Sequence, residues 1–141
     1  MLAGEPFLLS KYVNRSDQTA FIGISSNTLA KIIPIDLKQF AGEFITISNS
    51  YLCNVGDVTV SAIAQRGLIA LFGGDGFILQ RLKGDGIVCI QGSGTVVRKT
   101  LAIGESLCVD PGTVLGLSSS IVFDVAPVGG PLQARGLGFR V

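Results

Sequence analysis

Short runs of β-branched and aromatic residues alternate along this chain with glycine, asparagine, aspartate and serine. Within several runs, such as 43–48, apolar side chains occupy alternate positions, which is typical of strands with one buried face. The 19 glycines and the short gaps between runs leave no room for long helices. The pattern therefore predicts an all-β protein, with strands over residues 6–12, 19–25, 29–37, 43–48, 58–62, 77–82, 86–91, 95–102, 106–109 and 121–125.

Two glycine-rich stretches in the second half of the chain are predicted to be tight turns. Lys83-Gly84-Asp85-Gly86 contains an Asp-Gly step, which favours a two-residue hairpin because both residues tolerate positive φ. Gln91-Gly92-Ser93-Gly94 has the composition of a second turn of the same kind.

The chain also contains an internal similarity that decides the predicted architecture. Four segments of the first half have counterparts in the same order in the second: 4–9 with 74–79, 21–25 with 87–91, 42–47 with 104–109, and 58–62 with 121–125. They predict one domain of two repeats, about 2–66 and 67–127, which face each other as a β-sandwich or double-stranded β-helix barrel. The tail 128–141 resembles the start of a third repeat.

Composition changes this picture by indicating association. Hydrophobic residues make up 48% of the chain and charged residues 15%, and the mean hydropathy is +0.56. Such a composition implies sheets buried on both faces or an apolar surface covered by another chain, and we favour the second. We therefore expect a homo-oligomer or a subunit of a larger complex. A formal net charge of +1, with the basic residues scattered, predicts no nucleic-acid binding.

Candidate chemistry is sparse. The sequence has no histidine, the commonest general base and metal ligand. Cys53, Cys89 and Cys108 are predicted to be small buried apolar residues in a reducing compartment, rather than a disulfide or reactive thiols. We therefore predict no catalytic residue, no cofactor and no metal, and hence no enzyme.

Four acidic residues each follow a glycine at equivalent positions of the repeat: Glu5, Glu43, Asp75 and Glu105. The favoured interpretation is that each accepts backbone N–H bonds in a turn. The alternative is a carboxylate pair that binds a metal or performs acid–base chemistry.

One apolar run, residues 67–73, lies between the two repeats and outside the rhythm of strands. Either it fills the core at one end of the barrel, or it is an exposed contact for another subunit, a membrane surface or a partner. Leu68, Ile69, Leu71 and Phe72 are accordingly the candidate interaction surface.

The series 71–82, Gly84-Asp85-Gly86 and 104–112 resembles the family named for a yeast protein required for normal inheritance of mitochondria (altered inheritance of mitochondria protein twenty-four). The similarity covers about residues 2–130. It implies a fold like that of the tryptophan RNA-binding attenuation protein, oligomers, and in fungi a role in organising cristae at the mitochondrial inner membrane. It also implies further strands beyond both ends of the present sequence.

Composition and resemblance together predict a non-enzymatic scaffold or assembly protein that supports a mitochondrial or membrane-bound complex, with peripheral membrane association as one form of contact. The alternative is a β-barrel module that binds a small ligand or RNA. The expected compartment is intracellular: mitochondrial in a eukaryote and cytoplasmic in a prokaryote.

Overall fold

The computed structural model describes residues 9–63, 79–122, 124–127 and 137–140. Regular structure in these residues consists of strands and three 3-10 helices of three or four residues, Leu37–Phe40, Ser48–Ser50 and Pro111–Thr113. The predicted all-β class is confirmed. The strands are β1 Ala30–Asp36, β2 Glu43–Ile47, β3 Tyr51–Ile63, β4 Leu79–Ser93, β5 Cys108–Val109, β6 Gly116–Ser118, β7 Asp124–Pro127 and β8 Leu137–Arg140.

The long strand β4 organises a five-stranded antiparallel sheet. Along one edge it pairs with β3 over nearly its whole length. Its other edge is shared, because β1 pairs with Ile87–Ser93 and β2 pairs with Leu79–Lys83. β6 extends the sheet beyond β2, and β5, β8 and β7 form a separate three-stranded sheet in that order. Pro34 lies in β1, which pairs only with β4 among the described strands, and such an edge strand tolerates a proline.

The large sheet is curled into a half-barrel, as the strand register requires. Ile47 lies beside Leu79, and Tyr51, four residues later, lies beside Ile90. A straight strand would separate the two partners on β4 by about 36 Å, whereas four residues of chain span at most about 14 Å. β4 must therefore bend, and a hydrogen bond from Gln91 Nε2 to the carbonyl of Asn49 (3.3 Å) joins its far end to the β2–β3 connection.

The core lies inside this curl. Side chains at even positions of β4 point inward, and Leu82, Val88 and Ile90 are buried there. Phe44 of β2 and Leu37 of the first 3-10 helix complete the cluster. β1 and β2 both pair with β4, and residues 37–42 between them form the 3-10 helix and a turn. This connection places Leu37 in the core.

The predicted hairpin at Lys83–Gly86 is wrong, because β4 runs through these residues without reversing. Gly84 lies opposite Val58 with φ +145°, and a Cβ there would stand 2.0 Å from the carbonyl oxygen of Asp57. The glycine is therefore required for close approach of two backbones at the bend, not for a turn. The second predicted turn is displaced: β4 continues to Ser93, and Gly94 has positive φ.

Predicted strands were confirmed where a partner strand exists. The strands over 29–37, 43–48 and 58–62 correspond to β1, β2 and part of β3. Residues 19–25 and 95–102 contain no strand, so those predictions are wrong, and 9–12 likewise form none. The strands over 106–109 and 121–125 are found shortened or shifted, as β5 and β7. The two repeats and the likeness to the tryptophan RNA-binding attenuation protein stay predictions.

Candidate functional site

The predicted interaction surface, Leu68, Ile69, Leu71 and Phe72, lies outside the described residues. Glu5 and Asp75, two of the four acidic residues, lie outside them as well. Candidate sites therefore have to be sought on the curled sheet and on the segments that flank it.

Glu105 and Glu43 occupy equivalent positions but make different contacts. Glu105 accepts a hydrogen bond from the backbone N–H of Ala102 (2.8 Å), as predicted, and it also contacts Lys99 Nζ at 2.5 Å. The hydrogen bond from Lys99, then that from Ala102, lowers the pKa of the Glu105 carboxyl. Glu43 instead forms an ion pair with Arg81 at 3.1 Å. The preceding glycines, at 42 and 104, share φ +79°.

The alternative of a metal site finds no support in the part of the chain that the structure describes, which holds no group of three or more potential metal ligands. Each of the two described glutamates already has a basic partner. Turn formation and ion pairing account for both.

The cysteines differ from their predicted environment. Cys53 and Cys89 are half-buried and Cys108 is exposed, so the prediction of three buried apolar residues is wrong. All three are free thiols. Cys53 and Cys89 lie directly opposite each other on β3 and β4, which brings together two thiols that are 36 positions apart in the sequence.

These two cysteines belong to an apolar area on the convex side of the sheet, which we call the outer apolar face. It crosses three adjacent strands, because Pro34 pairs with Cys89 and Val55 pairs with Ile87. Val55 is 73% exposed. The members of the outer apolar face are Ile32, Pro34, Cys53, Val55, Ile87 and Cys89.

Charged side chains bound this face at the bend of the sheet. Asp57 and Asp85 lie directly opposite each other, an unfavourable pairing of like charges. Lys38 relieves it through an ion pair with Asp85 at 3.1 Å. The hydrogen bond and charge of Asp85 raise the pKa of Lys38. Asp36, whose side chain accepts the Lys38 N–H, adds a third carboxylate.

A second apolar surface lies on the two stretches without strands, residues 9–29 and 94–107, which we call the unpaired segments. Phe21 is 95% exposed, Leu29 is 98% exposed and Ile103 is fully exposed. The apolar periodicity of residues 19–25 and 95–102 carries part of this signal, but by itself it predicts strands of the domain's own sheets. The sequence did not indicate that these side chains are left exposed by the described residues.

Local hydrogen bonds nevertheless shape the unpaired segments. In the first, Asn14 Nδ2 donates to the carbonyl of Gln18 (2.7 Å), and the backbone N–H of Ser16 donates to Asn14 Oδ1 (3.0 Å). In the second, Ala102 and Glu105 exchange two bonds, since the N–H of Glu105 also donates to the carbonyl of Ala102. Ile103 lies within the second of these turns, whereas Phe21 and Leu29 lie outside the first.

A family model described as Mitochondrial biogenesis AIM24 matches residues 1–139. The chain belongs to this family, as its ordered series of glycines and apolar residues predicted, and membership indicates a role in mitochondrial biogenesis. A comparison with curated proteins finds no significant match. Across the described residues, no helix has the length and apolar character needed to cross a membrane.

Proposed function

We propose that this member of the AIM24 family is a non-enzymatic scaffold of mitochondrial biogenesis that assembles by binding further copies of itself through the unpaired segments. The exposure of large apolar side chains on these segments is the observation that carries the proposal. Organisation of a membrane-bound complex would be the role of the resulting assembly.

The energetic case rests on Phe21, Leu29 and Ile103. Moving a side chain of this size from water into an apolar contact contributes about 1.5–3 kcal/mol. Three such side chains, nearly fully exposed in one copy, provide enough hydrophobic free energy to offset part of the cost of association.

A second copy of the chain is the occupant that the described residues favour. Segments with strand-like periodicity need hydrogen-bond partners, and β1 pairs with only one neighbour among the described strands. A net charge of +1 produces little repulsion between copies. If an unpaired segment paired with β1 of another copy, the segment would gain hydrogen-bond partners and β1 would gain a second neighbouring strand.

Size-exclusion chromatography with light scattering tests the proposal on the full chain. We expect a dimer or larger assembly, and we expect the double variant Phe21→Ser/Leu29→Ser to shift it toward monomer by at least about tenfold in dissociation constant. The matched control is Val55→Ser/Ile87→Ser, which removes two exposed apolar side chains from the outer apolar face instead.

Two outcomes would overturn the proposal. The first is that the wild-type chain is a monomer at all concentrations. The second is that the Val55/Ile87 control variant is monomeric while the Phe21/Leu29 variant still assembles. The second result would move the interface to the outer apolar face. Circular dichroism of each variant confirms that the sheet is still folded.

A further inference from the structure

Cys53 and Cys89 satisfy the backbone requirement for a disulfide. They are direct partners in the antiparallel pairing of β3 and β4. Directly opposite residues in such a pair have Cα atoms about 4.5–5.5 Å apart, and disulfides join residues whose Cα atoms are about 4.4–6.8 Å apart. The two strands therefore need no large movement to allow the bond.

A β-bulge produces this opposition. Tyr51 pairs with Ile90 and Cys53 pairs with Cys89, so that two positions on β3 match one on β4. Residues two apart on a regular strand point to the same face. Because of the bulge, Tyr51 packs against the core while Cys53 lies on the same outer face as Cys89. A regular strand would leave the two thiols on opposite faces.

The two thiols also share one face of the sheet and are reachable from solvent. Both side chains are half-buried, on the outer apolar face. Burial, then the charge of Cys89 and a hydrogen bond to Cys89, raises the pKa of the Cys53 thiol. The raised pKa makes Cys53 the poorer source of thiolate, which suits it to the second step of an exchange.

We propose that Cys53 and Cys89 form a redox-sensitive dithiol that a small-molecule disulfide converts reversibly into a cross-strand disulfide. This inference is independent of self-association, since it depends only on the β3–β4 pair.

The reaction is two successive thiol–disulfide exchanges. The Cys89 thiolate attacks one sulfur of the small-molecule disulfide, whose S–S bond breaks and releases one thiolate. Cys53 then loses its proton and attacks Cys89 Sγ, which forms the protein disulfide and displaces the second thiolate. The protein loses two electrons and two protons, and the small molecule is reduced to two thiols.

The bond would fasten β3 to β4 far from the chain segment that joins them. It closes a loop from residue 53 to residue 89 and removes conformational freedom from the unfolded chain. We expect the melting temperature of the oxidised protein to be about 5–15 °C above that of the reduced protein. A strained bond would give an increase near the lower end of this range. Oxidation would thus hold together the end of the β3–β4 pair at which Tyr51 lies beside Ile90.

Oxidised glutathione is the probe for this inference, applied to the full unmodified chain at pH 8. Two of the three thiols should be lost to an internal bond that lowers the mass by two hydrogen atoms, apart from any glutathione adduct on the exposed Cys108. Peptide mapping should recover the Cys53 and Cys89 fragments as one linked species. Dithiothreitol should restore all three thiols and the lower melting temperature.

Variants separate the internal bond from unspecific oxidation. Cys108→Ser should still form the bond and retain no free thiol, whereas Cys53→Ser should stop at a glutathione adduct on Cys89. The inference is overturned if oxidation yields only glutathione adducts on the separate cysteines, or only intermolecular dimers through Cys108. Mapping of the unmodified chain decides between these outcomes even where a variant folds poorly.

Discussion

The curled sheet and the unpaired segments have similar sequence patterns but different structures. In β2, Phe44 is buried inside the curl, and Ile45 on the opposite face of the strand is buried as well. β4 and β6 pair with β2 on its two sides. Phe21 and Ile22 have the same composition in a segment without a strand, and both are exposed. Among the described residues, alternating apolar residues therefore form strands where neighbouring strands pair with them.

This difference follows from the nature of strand stability. A helix satisfies its own backbone hydrogen bonds, whereas a strand depends on a neighbour for bonds and for side-chain packing. The apolar pattern of residues 19–25 thus indicates the need for a partner without identifying it. Within the described residues that partner is not supplied, which is why we propose a second copy as the partner.

Truncation of a core side chain should produce the largest contrast between the two regions. Leu82 is fully buried inside the curl, so we expect Leu82→Ala to lower the free energy of unfolding by about 3–5 kcal/mol through lost burial and a cavity. Val97 lies in the second unpaired segment and is 84% exposed. Val97→Ala should change the free energy of unfolding by no more than about 0.5 kcal/mol.

Urea denaturation of both variants under conditions that keep the protein monomeric measures these two values. A cost above about 1.5 kcal/mol for Val97→Ala would show that the segment is packed within a single copy. That result would remove the contrast and weaken the case for self-association at the same time.

A smaller effect should distinguish the two regions through their glycines. Gly84 in β4 and Gly94 at the start of the second unpaired segment both have positive φ. A Cβ on Gly84 would collide with the backbone at Asp57, whereas a Cβ on Gly94 would meet nothing within 4 Å. We expect Gly84→Ala to lower the free energy of unfolding by about 3 kcal/mol. Gly94→Ala should lower it by about 1 kcal/mol.

Thermal and urea denaturation of the two glycine variants test this expectation. Equal losses of unfolding free energy in the two variants would mean that positive φ alone accounts for both. The bend at Gly84 would then not depend on close approach of β3 and β4. Retention of the β3–β4 pairing in Gly84→Ala, measured by amide exchange, would contradict the collision directly.

The sequence predicted the fold class because apolar alternation in residues such as Phe44–Ile47 is a local property. It failed at Lys83–Gly86, where the Asp-Gly step has the chemistry of a hairpin but the chain continues. Whether such glycines permit reversal or close approach depends on the strand that lies opposite, here the segment around Gly56 and Asp57. That pairing is long-range, and local composition contains no information about it.

The same limit applies to the candidate sites. The Glu105 turn was predictable because both partners, Ala102 and Glu105, lie within four residues of chain. The Cys53–Cys89 pairing was not, because it requires the register of β3 on β4 and the irregularity before Cys53. A sequence without paired spacing of its cysteines offers no local sign of that register.

The smallest predicted effect concerns Glu105, whose turn is held by side-chain contacts on an exposed segment. Its folded-state pKa lies below the ordinary value of 4.5, because Lys99 and the Ala102 N–H favour the carboxylate. The contribution of the turn is therefore present above the unfolded pKa and is lost as pH falls through the lower, folded pKa. Amide protection at Ala102 should decrease over that acidic range.

NMR titration of two variants identifies the group that lowers the pKa. Lys99→Met should return the titration midpoint of the Glu105 carboxyl toward its ordinary value. Lys38→Met, which removes the ion pair with Asp85, should leave that midpoint unchanged. An unaltered midpoint in Lys99→Met would show that the backbone N–H alone holds the carboxylate, and the turn would then form without its basic partner.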